Sequence, residues 1–303
     1  MGATESLALK LVLTPLLVGA ASIRPGVGDP RSAPYRLDFR VVITELKELN
    51  DIRALERLFA DVWERPGEPP IGSDVLMALA HSDNYVVGAY VDDRLVGGLV
   101  GWLGGSLPDL HLHSHILGVV PDSQARGLAF ALKQHQRTWC LERGVKEIVW
   151  TFDPLVRRNA YFNLNKLGAE AREYLVNFYG EMTDGINAGE ESDRILISWR
   201  LDSQLAEEAA AGRPHDPSDE DLQRWRIDAL IAVGPGGEPV TASPSARVVI
   251  CQVPDDIVAL RRSDPQLARG WRLAVRGALS KAFDAGYRIT GVTRTGWYVL
   301  DRG

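Results

Sequence analysis

The residues best placed to do chemistry lie in one run, Val119-Val120-Pro121-Asp122-Ser123-Gln124-Ala125-Arg126-Gly127-Leu128-Ala129, where an apolar strand turns sharply into a long helix. His111 to Val120 reads as a strand, and Leu128, Ala131, Leu132, His135 and Trp139 recur at helical spacing up to Gly144. The turn is therefore a helix N-terminus, whose first N–H groups lack intrahelical acceptors and sit at the positive end of the helix dipole. Such an end holds a diphosphate through main-chain donors, and Gly127 and Ala129 keep the approach open. No Gly-Lys-Ser/Thr follows and no G-x-G-x-x-G is present, which separates the turn from two common nucleotide loops.

The strand before the turn carries His111, His113, His115 and Leu117 on one predicted face and Leu112, Ser114 and Ile116 on the other. Three histidines on one face raise the question of a metal. Neighbours along one strand are too nearly collinear to enclose an ion, and no carboxylate or thiol stands at recognisable spacing, so no metal is expected. An imidazole titrating near neutral pH suits proton abstraction instead. Cys140 and Cys251 fall in an apolar helix and strand and read as reduced buried thiols; nothing near Cys140 is built to activate it.

The elements that must position these residues follow from periodicity. A strand is predicted at 41–46, helices at 50–64 and 73–81, then strands at 85–91 and 94–103 joined tightly at Asp92-Asp93. After the His-bearing strand and the long helix come a strand at 147–152, a helix at 157–167 stopped by Gly168, and strands at 172–179 and 194–201. The polar, glycine-bearing loop between those last strands is the expected acceptor-side wall, with Tyr179, Asp184, Asn187, Asp193 and Arg194 as candidate contacts. Arg157 and Arg158 are candidates for cofactor phosphates or an acidic acyl group.

A chain of 303 residues with 45% hydrophobic content can bury one large core or two modest ones, and two are expected. The formal net charge of −6 argues against a general nucleic-acid binder. Residues 1–40 contain an apolar run at 11–21 that is too short to span a bilayer, followed by a Pro/Gly-rich stretch. They read as a disordered leader or a mis-assigned start, and the expected setting is cytoplasmic, with no membrane partner.

Residues 204–225 read as a linker broken at Gly212-Arg213-Pro214. Within 226–303, strands are predicted at 226–233, 246–253, 287–293 and 297–300, around an amphipathic helix at 267–285. Gln266-Leu267-Ala268-Arg269-Gly270 echoes Gln124-Ala125-Arg126-Gly127, which suggests a degenerate half-repeat. This region is expected to cover one side of the active site or to form a homodimer contact.

Gln124-Ala125-Arg126-Gly127-Leu128-Ala129 resembles the Q/R-x-x-G-x-G/A signature of the GNAT acyltransferases, and the element order over 41–203 resembles theirs. The resemblance implies an α/β (α+β) fold with a mixed, mostly antiparallel central sheet flanked by helices, plus the smaller C-terminal α/β region. It implies acetyl-CoA or another acyl-CoA as co-substrate, held by Leu117, Val119, Gln124, Ala125, Arg126, Gly127, Leu128 and Ala129. Asn159-Ala160-Tyr161-Phe162-Asn163-Leu164-Asn165-Lys166-Leu167-Gly168 resembles the family's pantetheine-side helix, which adds Asn159 and Phe162.

The pattern departs from the family at Leu164, where a tyrosine acid is usual. Tyr161, one turn earlier, is the substitute acid. His115, and less favourably His113, stands in the stretch where the family carries its base. The main-chain N–H near Val119 is the implied oxyanion donor. The resemblance thus implies direct transfer of an acetyl or succinyl group to the amine of a small molecule such as an amino acid. A CoA-binding scaffold that lost catalysis is the alternative, and a protein acceptor would require a shallow open groove.

Overall fold

Local signals in the first part of the chain are strong enough to set its elements in order. The computed structural model describes residues 41–65, 67–121, 127–180, 191–217, 222 and 227–303. It opens with β1 (Val41–Glu45), α1 (Leu49–Val62), α2 (Ser73–His81), β2 (Tyr85–Val91), β3 (Arg94–Gly104) and β4 (His111–Val119). There follow α3 (Leu128–Glu142), β5 (Glu147–Phe152), α4 (Arg157–Ala160), a π-helical stretch (Tyr161–Lys166), β6 (Glu170–Leu175) and β7 (Arg194–Arg200). The β2–β3 hairpin turns through Asp92 and Asp93, at φ of 49° and 61°, the left-handed pair that a two-residue hairpin link requires. The strands lie in the order β1-β2-β3-β4-β5-β7-β6, antiparallel except for β4 beside β5.

Helix α1 buries Ile52, Leu55, Leu58 and Phe59, the stripe its sequence spacing predicts, against Val86, Val100 and Ile116 on one face of the sheet. It lies so close to β4 that a Cβ at Gly118 would stand 2.8 Å from the Phe59 ring. Helix α3 covers the opposite face through Leu128, Leu132, Trp139 and Cys140.

Two local features differ from expectation. Strand β4 does not alternate throughout: Val100 pairs with Ile116 and Gly101 with Ser114, so His115 is the extra residue of a β-bulge. Beyond the bulge the faces exchange. Ile116 joins the α1 side and Leu117 the α3 side, the reverse of the simple two-residue count. The expected helix at 157–167 is α-helical only to Ala160 and π-helical beyond.

The C-terminal region comprises α5 (Gln204–Ala210), β8 (Asp228–Val233), β9 (Pro239–Thr241), β10 (Val248–Cys251), α6 (Ile257–Ser263), α7 (Pro265–Asp284), β11 (Arg288–Val292) and β12 (Tyr298–Asp301). Strand β9 and helix α6 were not expected. The signal for α6 was Asp256, whose carboxylate accepts from Ala259 N at 3.0 Å; Asp264 caps α7 in the same way, with Pro265 in the first turn.

The second sheet runs β9-β8-β10-β12-β11, joined antiparallel, parallel, antiparallel, antiparallel. The series β3-β4-β5-β7-β6 in the first sheet has the same pairing sense throughout. In that comparison α7 corresponds to the segment between β5 and β6, and not to α3, which the sequence echo suggested. The hairpin order also differs, since β8 precedes β9.

The two sheets share one hydrophobic core running from Tyr85 through Ile197 to Trp271 and Leu300. Polar contacts stitch them as well. Asn165 exchanges both amide bonds with the backbone of Val292, at 2.8 and 3.0 Å, and Tyr298 donates to Pro154 O at 2.7 Å.

Candidate active site

Strands β4 and β5 share only two register pairs, Leu112 with Ile148 and His113 with Val149. No pair joins them beyond, so they form a fork in the middle of the sheet whose arms begin at Ser114 and Trp150. The arms carry different chemistry on their two faces.

On the face away from α3, Trp102 of β3 lies against both histidines, with ring centroids 4.9 Å from His113 and 4.7 Å from His115. Burial, then the neighbouring His115, His111 and Lys133, lower the His113 pKa to about 4; burial lowers that of His115. Both imidazoles are therefore neutral at physiological pH. From the other arm, Thr151 Oγ1 lies 3.2 Å from the hydroxyl of Tyr179, which is half exposed. Buried Arg194 sets its guanidinium 5.4 Å from the Tyr179 ring centroid and donates to Asp193 O. The fold thus gathers His113, His115, Tyr179 and Arg194 on one side of the fork. Strand β6 ends at Leu175, short of Tyr179, so that residue belongs to the following turn and not to the expected strand.

On the α3 side, Leu117 and Val119 line the β4 arm and pack on the main core. Gly127 caps α3 with φ +77°, in the left-handed region that favours glycine. The Leu128 side chain is fully buried in the core, and Ala129 is half-buried. Gln124, Ala125 and Arg126, and likewise Asp184 and Asn187, lie outside the described residues.

The segment after β5 is tied to the C-terminal region. Tyr161 donates to Asp216 Oδ2 at 3.2 Å, Arg157 pairs with Asp255 at 2.7 Å, and Arg294 pairs with Asp216 at 2.8 Å. A cavity of about 340 Å³ opens there, lined by Arg157, Arg158, Tyr161, Lys166, Thr293, Arg294 and Gly296. Asn159 is exposed beside it, Phe162 is half-buried against the core, and Leu164 is buried.

Residues 49–168, from α1 through the end of the π-helical stretch, match the family described as Acetyltransferase (GNAT). The chain carries a GNAT acetyltransferase domain. The reaction that the family's description gives is acetyl transfer. No curated protein matches the chain. Among solved structures, it is similar to the ribosomal-protein-S18-alanine N-acetyltransferase of Escherichia coli, at 16% identity and a TM-score of 0.44, over 54% of this chain and 96% of the other. It is also similar to an aminoglycoside acetyltransferase from an uncultured soil metagenomic sample, at 24% identity and 0.33, over 37% and 78%. A third is a putative acetyltransferase of the GNAT family from Desulfovibrio desulfuricans, at 17% identity and 0.42, over 54% and 99%.

The GNAT domain also holds residues that pattern reading passed over. Trp102 and Thr151 sit at the fork. Lys133 lies beneath it on α3, and its signal was present in the sequence: Lys133, Gln136 and Cys140 recur at helical spacing beside the Leu128, Leu132 and Trp139 stripe, and all three are buried. Among the described residues, no helix is long and apolar enough to cross a membrane.

Proposed function

We propose that the protein transfers an acetyl or succinyl group from acyl-CoA to the amine of a small molecule, with an amino acid as the acceptor class, in the cytoplasm. The observation that carries this reading is the fork itself, which has a glycine-started helix on one side and two neutral histidines on the other. The CoA diphosphate sits on the N-terminus of α3 at Gly127, with Gln124, Ala125 and Arg126 as further ligands. Arg157 and Arg158 favour an anionic part of the same ligand. His115, unpaired in the bulge, takes the proton from the attacking amine, with His113 behind it. Arg194 and Tyr179 favour an acceptor that bears a carboxylate.

One observation favours the alternative of a CoA-binding scaffold: Leu164 is buried in the core where the family usually has a tyrosine. The deciding experiment is thiol release from acetyl-CoA and succinyl-CoA against amino acids of both hands, other small amines and a peptide. Acceptor-dependent release supports the transferase, and CoA binding without release supports the scaffold.

His115→Asn is expected to lower kcat/KM about a hundredfold while CoA affinity, read by calorimetry, stays unchanged. The base must be neutral to act, and burial lowers the pKa of His115 from 6.5. The acid limb of the wild-type kcat/KM profile therefore lies below the ordinary imidazole range, and activity is lost as pH falls through it. An acid limb at or above 6.5 would contradict this assignment.

A further inference from the structure

Under the fork, on the face opposite the histidines, lies a cation with no carboxylate partner among the described residues. Lys133 Nζ donates to Ser114 Oγ at 2.8 Å and to Gln136 Oε1 at 3.2 Å, and stands 3.9 Å from the centroid of the Trp150 ring. Lys133 is 3% exposed and Ser114 4%. Ser114 and Trp150 are the first residues past the last shared pair of β4 and β5, so Lys133 sits where the two arms part. A lone ammonium held so deep, on a hydroxyl at the fork, is an expensive arrangement for packing alone.

We propose that Ser114, supplied with protons by Lys133, is the acid that protonates the departing thiolate of acyl-CoA. This rests on the acyl-transfer reading above and fills the role that Leu164 has no proton for. The geometry separates the two proton movements across the sheet. On one face the amine nitrogen attacks the thioester carbonyl carbon, forming C–N, and its proton passes to His115. The C–S bond breaks with its electron pair on sulfur, Ser114 Oγ–H gives its proton to that sulfur, and Lys133 Nζ–H replaces it on Oγ. Lys133 is left as a neutral amine; His115 releases its proton to solvent, and Lys133 regains one through Ser114 once the thiol leaves. The hydroxyl of Tyr161 is engaged with Asp216 of the C-terminal region.

Charge and burial around the pair agree with this assignment. Burial lowers the Lys133 pKa to about 7, so its ammonium form is populated near neutrality and gives its proton readily to a thiolate, a stronger base. It is faced by Ser114 from β4, Trp150 from β5, and Gln136 and Cys140 on its own helix, while His113, on the other face of β4, meets it through charge alone. Of these, His113 is lowered to about 4 and the Cys140 thiol is pushed up by burial to about 12, so neither titrates beside it near neutrality.

The test uses the full chain, with kcat for thiol release and acyl-CoA affinity measured from about pH 5.5 to about pH 9 for the unchanged protein and for K133M, S114A and S114T. Expected for the unchanged protein is a kcat that falls on the alkaline side as Lys133 loses its proton. In K133M and S114A kcat drops about tenfold to a hundredfold, that limb disappears and acyl-CoA affinity stays within about twofold, while S114T retains most of the rate. Unchanged kcat in S114A, or an intact alkaline limb in K133M or S114A, overturns the proposal. Should K133M fail to fold, S114A alone decides it. Absence of thiol release in the unchanged protein overturns the transferase reading along with this one, whereas release with indifferent variants overturns this one alone.

Discussion

Gly127→Val is expected to abolish CoA binding, with a loss of affinity of about a hundredfold to ten-thousandfold. Gly127 starts α3 at φ +77°, where a β-branched residue is strained by about 1–3 kcal/mol, so the turn must relax to another conformation. Relaxation removes the aligned N–H groups at the helix start. Two charge-assisted bonds to a diphosphate, at about 1.5–3 kcal/mol each, account for the range given. The reading is by calorimetry with CoA, beside a melting curve. Helix α3 keeps Leu128, Leu132 and Trp139 in the core, so the variant should remain folded. Gly127→Ala, with a smaller side chain but the same φ restriction, should fall between the two. Unchanged CoA affinity in both variants would show that the phosphates are held elsewhere.

The strand β4 and the Gly127-started helix α3 were legible because their signals are local: an apolar strand, and then a stripe of apolar residues at helical spacing. The same holds for α1, α2 and the Asp92-Asp93 hairpin, each set by residues within a few positions of one another. What sequence could not show depends on pairing between distant segments. The bulge at His115 exists only because two residues of β4 face one of β3, and a two-residue count along β4 cannot register that. As a result the faces of Ile116 and Leu117 were exchanged, while His113 and His115 stayed together around Trp102. Tyr161 reads as a free acid in its own helix, yet its partner Asp216 stands 55 positions away. Short elements with a single cap, such as α6 behind Asp256, fall below what periodicity detects.

The C-terminal region bears on the site through charge as well as packing. Strand β5 forms one arm of the fork, and Asp153 follows it directly. Arg272 of α7 grips Asp153 with two bonds of 2.7 Å and Arg261 of α6 adds a third of 2.7 Å, while Asp153 Oδ1 accepts from Leu155 N at 2.9 Å. A second clamp joins Arg276 of α7 to Asp193, at the start of β7, with Tyr174 donating to the same carboxylate at 2.8 Å. The first clamp fixes the end of β5, which borders the fork, and the second fixes the start of β7, which pairs with β5 on its other side. The region therefore holds the β5 arm of the fork in place.

Asp153→Ala is expected to destabilise the full chain by about 3–5 kcal/mol, because it strands buried guanidinium groups without their counter-charge. The cost follows from burial: Asp153 is 6% exposed and Arg272 2%. Burial alone would raise the Asp153 pKa, but the Arg272 bonds and charge, followed by the charges of Arg261 and Arg194, outweigh it and hold the carboxyl well below the usual range. A depressed carboxylate contributes stability that is fully present above its unfolded pKa, near 3.9, and is lost as pH falls toward its folded value. Urea unfolding of the unchanged chain should therefore weaken below about pH 4, and Asp153→Ala should lack that component. His113 acts earlier, since the unfolded chain binds its proton near 6.5 and the folded chain only near 4; that loss should be common to both proteins. Equal stability of the variant and the unchanged chain at neutral pH would mean that the arginines find solvent or another acid when Asp153 is gone, and that the seam contributes little to holding the β5 arm.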